Sequence, residues 1–232
     1  MLKSKIYCMC LHEHHLNNLV KLKYIPVGLG SNEFSESWVK DNTKINISKK
    51  NPYYGEYTFY YWFWKNILEK SEDKTWFGFT GYRYHWSQKN TIHSDELNSL
   101  INKDNFNQFI LKNIPDEWGE TDVVLGQKMK VNNWKLSKIF KHAKKKFLFN
   151  PSYFIKTNQN IKLHFDVFHG EGLIDKAIDV LNKTDREDFK DFILNENSFN
   201  RENLFFCRSK TIMNDYFKSV FNWLEKCEEI FG

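Results

Sequence analysis

The chain is poor in the residues that punctuate or staple a small protein: 232 residues hold only four cysteines, four prolines and ten glycines. Cys8, Cys10, Cys207 and Cys227 fall at spacings that give neither a disulfide framework nor a closed zinc site. Cys8 and Cys10 sit in the apolar run Ile6–Leu11 and read as small buried hydrophobes of a reducing compartment. No apolar stretch reaches the ~18 residues that span a bilayer. The charged start Met1–Lys5 meets only a short apolar run before His12, unlike a secretory signal. These absences point to a cytoplasmic protein, at most peripheral on the cytoplasmic face of the inner membrane. No internal repeat or low-complexity linker interrupts the chain, which predicts a single domain over 1–232, whole or part of a longer parent. A net charge of +5 is too mild for a dedicated nucleic-acid binder, and no nucleic-acid motif accompanies it. The one short basic cluster, Lys141, Lys144, Lys145 and Lys146 beside His142, is either a solvated helix face or a patch drawn to anionic lipid headgroups or a lipid diphosphate.

What is abundant is aromatic: 17% of the chain, with 21 Phe, 11 Tyr and 8 Trp. Some must fill a core, and the rest are candidates for stacking on sugar or base rings. Short apolar runs at 6–11, 24–30, 76–80, 122–126 and 204–207 read as strands. Helical spacing runs from about Gly55 to Lys70, where Tyr57, Tyr60, Tyr61, Trp64, Ile67 and Leu68 recur at threes and fours. Further helices are expected at 133–149, 171–182 and 214–231, and residues 87–117 have only a weak pattern. The polar stretch 31–52 reads as a long loop, which in a compact domain is often functional. Strands alternating with helices predict an α/β fold with a mainly parallel central sheet, flanking helices and ligand bound where the strands end.

One segment is distinctive. Asp41-Asn42, Asn46-Ile47-Ser48 and Asn51 lead into Tyr54-x-Glu56-x-Thr58-x-x-Tyr61-Trp62-x-Trp64-Lys65-Asn66. It resembles a family of bacterial capsular and exopolysaccharide glycosyltransferases, long catalogued only as a domain of unknown function. The resemblance continues through Gly78-Phe79-Thr80-Gly81-Tyr82-Arg83-Tyr84-His85-Trp86 and Asp122-Val123-Val124-Leu125. It returns at Phe199–Phe206 and at Tyr216, Val220, Phe221, Trp223 and Leu224. It implies a single Rossmann-type domain of the GT-A kind, a nucleotide-sugar donor (UDP-linked by default), and a glycan or lipid-linked oligosaccharide acceptor. The product would be a capsular polysaccharide, exopolysaccharide or lipopolysaccharide. Two positions depart from the family: Gly81 replaces a histidine and Tyr84 an arginine. Those departures motivate an alternative, a degenerate and non-catalytic carbohydrate- or nucleotide-binding assembly protein.

A nucleotide-sugar transferase must stabilise a diphosphate as it leaves. Most GT-A enzymes use manganese or magnesium on an Asp-x-Asp pair, and this sequence has no such pair. A divalent metal therefore stays open as a cofactor with no ligand assigned. Arg83 is the candidate charge on the diphosphate, because a guanidinium fork matches phosphate oxygens; the alternative is an ion pair bracing the fold. His12 follows the first strand, where the base would lie. The run His12-Glu13-His14-His15 also admits a metal or a solvated loop. Gly28 and Gly30 would admit the backbone close to base or ribose, or form a plain turn. Asp41, Asn42, Asn46 and Asn51 suit ribose or sugar hydroxyls, or turns and caps. Glu56 and Tyr60 share a helix face and, with Gly81 and Tyr82, complete the expected donor contacts. Asp122 and His169 are the candidate bases for an acceptor hydroxyl. A structural carboxylate is the alternative for Asp122, and a metal site with His164 and Asp166 the alternative for His169. Asn200 and Asn203 resemble an acceptor-binding Phe-Asn-x-Gly run, with Glu202 in place of its glycine.

Overall fold

A computed structural model describes residues 3–16, 23–87, 105–132, 136–200 and 202–232. Much of the weakly patterned stretch 87–117 (residues 88–104) lies outside the described residues. So do residues 17–18 after the first strand, the start of the helix expected at 133–149 (133–135), and Arg201. The chain falls into two compact units: residues 1–126 with 204–219, and residues 127–203 with 220–232.

The first unit is built on a six-stranded sheet. Its strands are β1 (Ser4–Cys10), β2 (Ile25–Gly28), β3 (Val39–Lys40), β4 (Trp76–Gly81), β5 (Val123–Leu125) and β8 (Phe205–Cys207). They lie in the order β3-β2-β1-β4-β8-β5. β1 pairs in parallel with β2 and β4, and β2 in parallel with β3. β8 is antiparallel to both of its neighbours, so β5 runs with β1–β4. The expected α/β class with a mainly parallel sheet is what the structure shows. One edge of the sheet therefore collects the C-terminal ends of β1, β2, β3 and β4.

The sheet is covered on both faces, which is why its strands read as continuous apolar runs and not as alternating ones. On one face Tyr7 and Phe79 meet Phe59, Phe63 and Tyr60 from the helical segment after β3. Phe217, from the helix Lys210–Phe231, packs against Tyr60 and Phe63. On the other face Ile6, Trp76 and Phe206 pack with Leu111 and Ile114, under Trp86 and Trp118. Burying a Phe of this kind contributes about 1.5–3 kcal/mol. These rings hold the strand ends in fixed positions.

The helical segment after β3 has three parts: Asn51–Tyr54, Tyr57–Phe63 and a π-helical turn Trp64–Leu68. A π turn leaves a backbone carbonyl without its usual partner. Asn66 answers this, donating 2.7 Å to the Trp62 carbonyl and 2.8 Å to that of Ile45. The same side chain thus stitches the 41–50 loop to the helix.

The second unit is mainly helical: Leu136–Phe149, Ile161–His169, Leu173–Asp179, Lys183–Asn195 and the later part of Lys210–Phe231. A two-stranded ribbon, β6 (Met129–Lys130) with β7 (Ser198–Phe199), accompanies them. Its core is Val131, Ile161, Ile174, Ile178 and Ile193. The helices 161–169 and 183–195 were not legible as periodic runs, yet both are capped by asparagine. Asn160 accepts from Leu163 N and Asn182 from Asp185 N.

Candidate functional site at the ends of the parallel strands

In an open α/β sheet the C-terminal edge is where loops diverge and ligands bind. Two short turns stand side by side there, because Met9 of β1 and Gly81 of β4 are register partners. After β1, residues Glu13–Leu16 form a 3-10 turn closed by His15 N donating to the His12 carbonyl at 3.2 Å. Glu13 does not join the histidines: it accepts from the backbone and hydroxyl of Ser35. Those hydrogen bonds hold its pKa below the ordinary value.

After β4 the chain makes a β-turn, with Tyr84 N donating to the Gly81 carbonyl at 3.3 Å and Thr80 Oγ1 to the Tyr84 carbonyl. Tyr82 and Arg83 occupy the two central positions of this turn, so its closure presents both. The Tyr82 ring stacks on His15 at 3.8 Å and 3°. The Arg83 guanidinium lies 5.2 Å from the Tyr82 ring. His12 and His14 stack at 5.4 Å, and His14 meets His15 at 4.4 Å. The result is an edge on which Arg83, His12 and His14 are exposed and His15 and Tyr82 are half-buried. Arg83 and the histidines pair with no carboxylate among the described residues. Burial first, and then the neighbouring His14, His12 and Arg83 charges, hold the His15 pKa below the ordinary value. Its buried Nδ1 has no hydrogen-bond partner among the described residues. His85, beyond the turn, is pushed down to about 4 by burial, against a backbone hydrogen bond involving Tyr82.

Several residues expected at the donor are used by the fold itself. Asp41 is fully buried; it accepts from Gly30 N at 2.9 Å and from Thr58 Oγ1 at 2.5 Å. Gly30 sits at φ 73°, a conformation that favours glycine. Asn51 spends its amide on the Gly55 carbonyl (2.9 Å) and Thr58 Oγ1 (3.2 Å). Asn46 closes its own turn by accepting from Ser48 N and Oγ. Gly28 is small for the sake of Phe34, whose ring a Cβ there would overlap. Tyr60 is fully buried between Phe79, Phe205 and Phe217. Asn42 is exposed. Glu56 precedes the helix Tyr57–Phe63 and lies near Tyr57, Tyr60 and Tyr216, whose pKa values burial raises. Gly81 has room: a Cβ there meets nothing within 4 Å.

Asp122 stands at the opposite edge of the sheet, at the start of β5. Its carboxylate holds Arg208 Nε at 2.9 Å, and that guanidinium lies over Trp76, the first residue of β4. This is the structural-carboxylate alternative, made by the direction of the strand. His169, Asn200 and Asn203 belong to the second unit. His169 ends its helix with its ring 4.6 Å from Phe165. Asp166, in the same helix, is committed to Lys162 at 3.0 Å and Gly172 N at 3.1 Å. No group of three His, Cys, Asp or Glu among the described residues is placed to hold a metal ion. The run His12-Glu13-His14-His15 does not single out His15, whose open nitrogen lies in a burial that the sequence does not display.

The fold and this edge define an α/β protein with a cationic, aromatic surface at the ends of its parallel strands. A family model described as a domain of unknown function (DUF4422) matches residues 5–231, and the chain belongs to that family. No curated protein matches the chain. Among solved structures it is similar to the apo structure of WbbM, a bifunctional glycosyltransferase, at a TM-score of 0.53 and 20% identity. The likeness covers 98% of this chain and 37% of that one, so the chain spans little more than a third of its neighbour's length.

Proposed function

We propose that the chain is a glycosyltransferase that moves a sugar from a nucleotide-sugar, UDP-linked by default, to a growing surface glycan. The observation that carries this reading is the Arg83–Tyr82–His15 array on the ligand-binding edge of a fold similar to a glycosyltransferase. Arg83 would take the donor diphosphate, since a guanidinium offers paired donors to phosphate oxygens. His12 and Tyr82 would line the nucleotide, and the open space at Gly81 would leave room for the sugar. His15, with its Nδ1 unpartnered among the described residues, is a chemically suitable base for an acceptor hydroxyl. Gly81, Tyr82 and Arg83 include no carboxylate, so they do not fit a hard divalent cation at the end of β4, and no step is assigned to one. His169, Asn200 and Asn203 remain candidates for acceptor contact from the second unit.

A second reading, a binding protein without turnover, is favoured by one observation: Asp41 and Asp122 are both tied into the fold. Thermal unfolding with UDP, GDP, CMP and their sugars, each with manganese or chelator, tests the donor. A ligand at ~100 times its Kd adds roughly 2.7 kcal/mol. A shift with one nucleotide that survives chelator supports the donor site at Arg83, and release of free nucleotide from the matching sugar donor supports transfer. A shift without release under any acceptor favours the binding protein, and no shift with any nucleotide overturns the transferase and leaves the carbohydrate-binding form of the second reading.

A further inference from the structure

Charge is distributed very unevenly along this chain. Residues 123–165 contain ten lysines and no Asp, Glu or Arg, whereas residues 166–232 carry fourteen Asp and Glu against nine Lys and Arg. The second unit turns the middle of the lysine-rich stretch into a surface. The helix Leu136–Phe149, kinked at Ala143 (φ −135°), leads into the 3-10 turns Pro151–Phe154 and Lys156–Asn158. Ala143, Phe147 and Phe154 go inward, against Leu163 and Val167. The large apolar side chains between them go outward: Leu148 is 64% exposed, Phe149 82%, Tyr153 48% and Ile155 56%.

Lys141, Lys144, Lys145 and Lys156 flank these four side chains and are exposed as well. None of them forms an ion pair among the described residues. The knuckle is internally braced, with Asn158 Nδ2 donating to the Ser152 carbonyl at 2.9 Å and Gln159 Nε2 to that of Phe154 at 2.6 Å. It therefore presents its apolar side chains from a closed turn.

We propose that Lys141–Lys156 docks the second unit on an anionic phospholipid bilayer. The lysines are complementary to anionic headgroups, and the apolar side chains are of the kind that enter the acyl boundary beneath them. Single-stranded nucleic acid would match the lysines and could stack on Phe149 and Tyr153, but the aliphatic Leu148 and Ile155 beside them offer bases nothing to stack on and suit an acyl boundary. The docking goes beyond the transferase reading and does not need it, because binding is measured without donor or acceptor.

The test is co-sedimentation of the full chain with vesicles of phosphatidylcholine and phosphatidylglycerol in equal parts, and with phosphatidylcholine alone. Binding is expected to the anionic vesicles only, and to weaken as salt rises. Each lysine removed should weaken it about fivefold, so Lys144→Ala with Lys145→Ala costs roughly thirtyfold. Phe149→Ala should cost roughly tenfold by loss of apolar burial. All three side chains are exposed, so the urea midpoint should not move and folding is controlled. Failure of the wild-type chain to bind anionic vesicles overturns the proposal. So does binding that these variants leave unchanged, or a preference for a single-stranded oligonucleotide over the vesicles at equal salt.

Discussion

Two stretches of the first unit behave in opposite ways. The segment Asp41–Asn66 is the most distinctive in sequence, yet Asp41, Asn51, Thr58 and Asn66 spend their side chains on the fold. Asp41 holds Gly30 and Thr58, Asn51 holds Gly55, Asn66 holds Ile45 and Trp62, and Trp62 Nε1 donates to Thr43. The turns at His12–His15 and Gly81–Tyr84 are short and exposed, and bonded mainly through their backbones. They expose His12, His14 and Arg83. Much of what makes the motif distinctive is therefore architectural. An irregular loop, a glycine at positive φ and a π turn each need a particular partner of one length and polarity.

The contrast is sharpest where one variant should damage stability and another only binding. Asp41→Ala leaves the Gly30 N–H buried without an acceptor, while the Thr58 hydroxyl keeps only the Gly55 carbonyl at 3.0 Å, and should cost about 2 kcal/mol, read as a lower urea midpoint. A midpoint equal to wild type would mean that Asp41 does not brace the loop. Asn66→Ala removes donors from the Ile45 and Trp62 carbonyls and should cost about 2 kcal/mol; retention of full stability would show that the π turn holds without it. Arg83→Ala is the reverse case. Stability should stay within about 0.5 kcal/mol, while nucleotide affinity in a titration falls by roughly tenfold or more, the value of a charge-assisted hydrogen bond. Equal affinity in this variant would remove Arg83 from the site. Gly81→Ala should leave the fold within about 0.5 kcal/mol of wild type, since the added Cβ meets open space.

The smallest effect is a pH slope. Burial raises the Asp41 pKa, against the opposing hydrogen bonds from Thr58 and Gly30. The folded state thus holds this proton more tightly than the unfolded chain does. Stability from this group is full below the unfolded pKa of about 3.9 and is lost as pH rises through the folded value. Asn resembles the protonated acid, so the deficit of Asp41→Asn relative to wild type should shrink as pH rises from about 4 to about 7. A deficit that grows instead would show the hydrogen bonds outweighing burial.

Reading the chain from its residues reached the strands at 4–10, 25–28, 76–81, 123–125 and 205–207 because each contains a compact apolar run. It reached the main helices of the signature and the C-terminus through their spacing. It did not reach the helix 183–195, in which Ile193 alone is buried and charged residues fill much of the rest. Trp62 and Trp64, two positions apart, face differently: Trp62 is buried, whereas Trp64 donates to Asn214 from a less enclosed position.

By itself, then, the sequence determined the α/β class, the buried free cysteines and the position of a charged turn after β4. These follow from local hydrophobic pattern and from one residue's place behind a strand. Tertiary structure decided which polar residues are left for a ligand. A carboxylate such as Asp41 reads the same whether it faces a sugar or an internal glycine. Asp122 falls at the opposite edge from Arg83 only because β5 starts there. Direction of strand and closure of loop are long-range facts, and they separate the residues that hold the edge from those that present it.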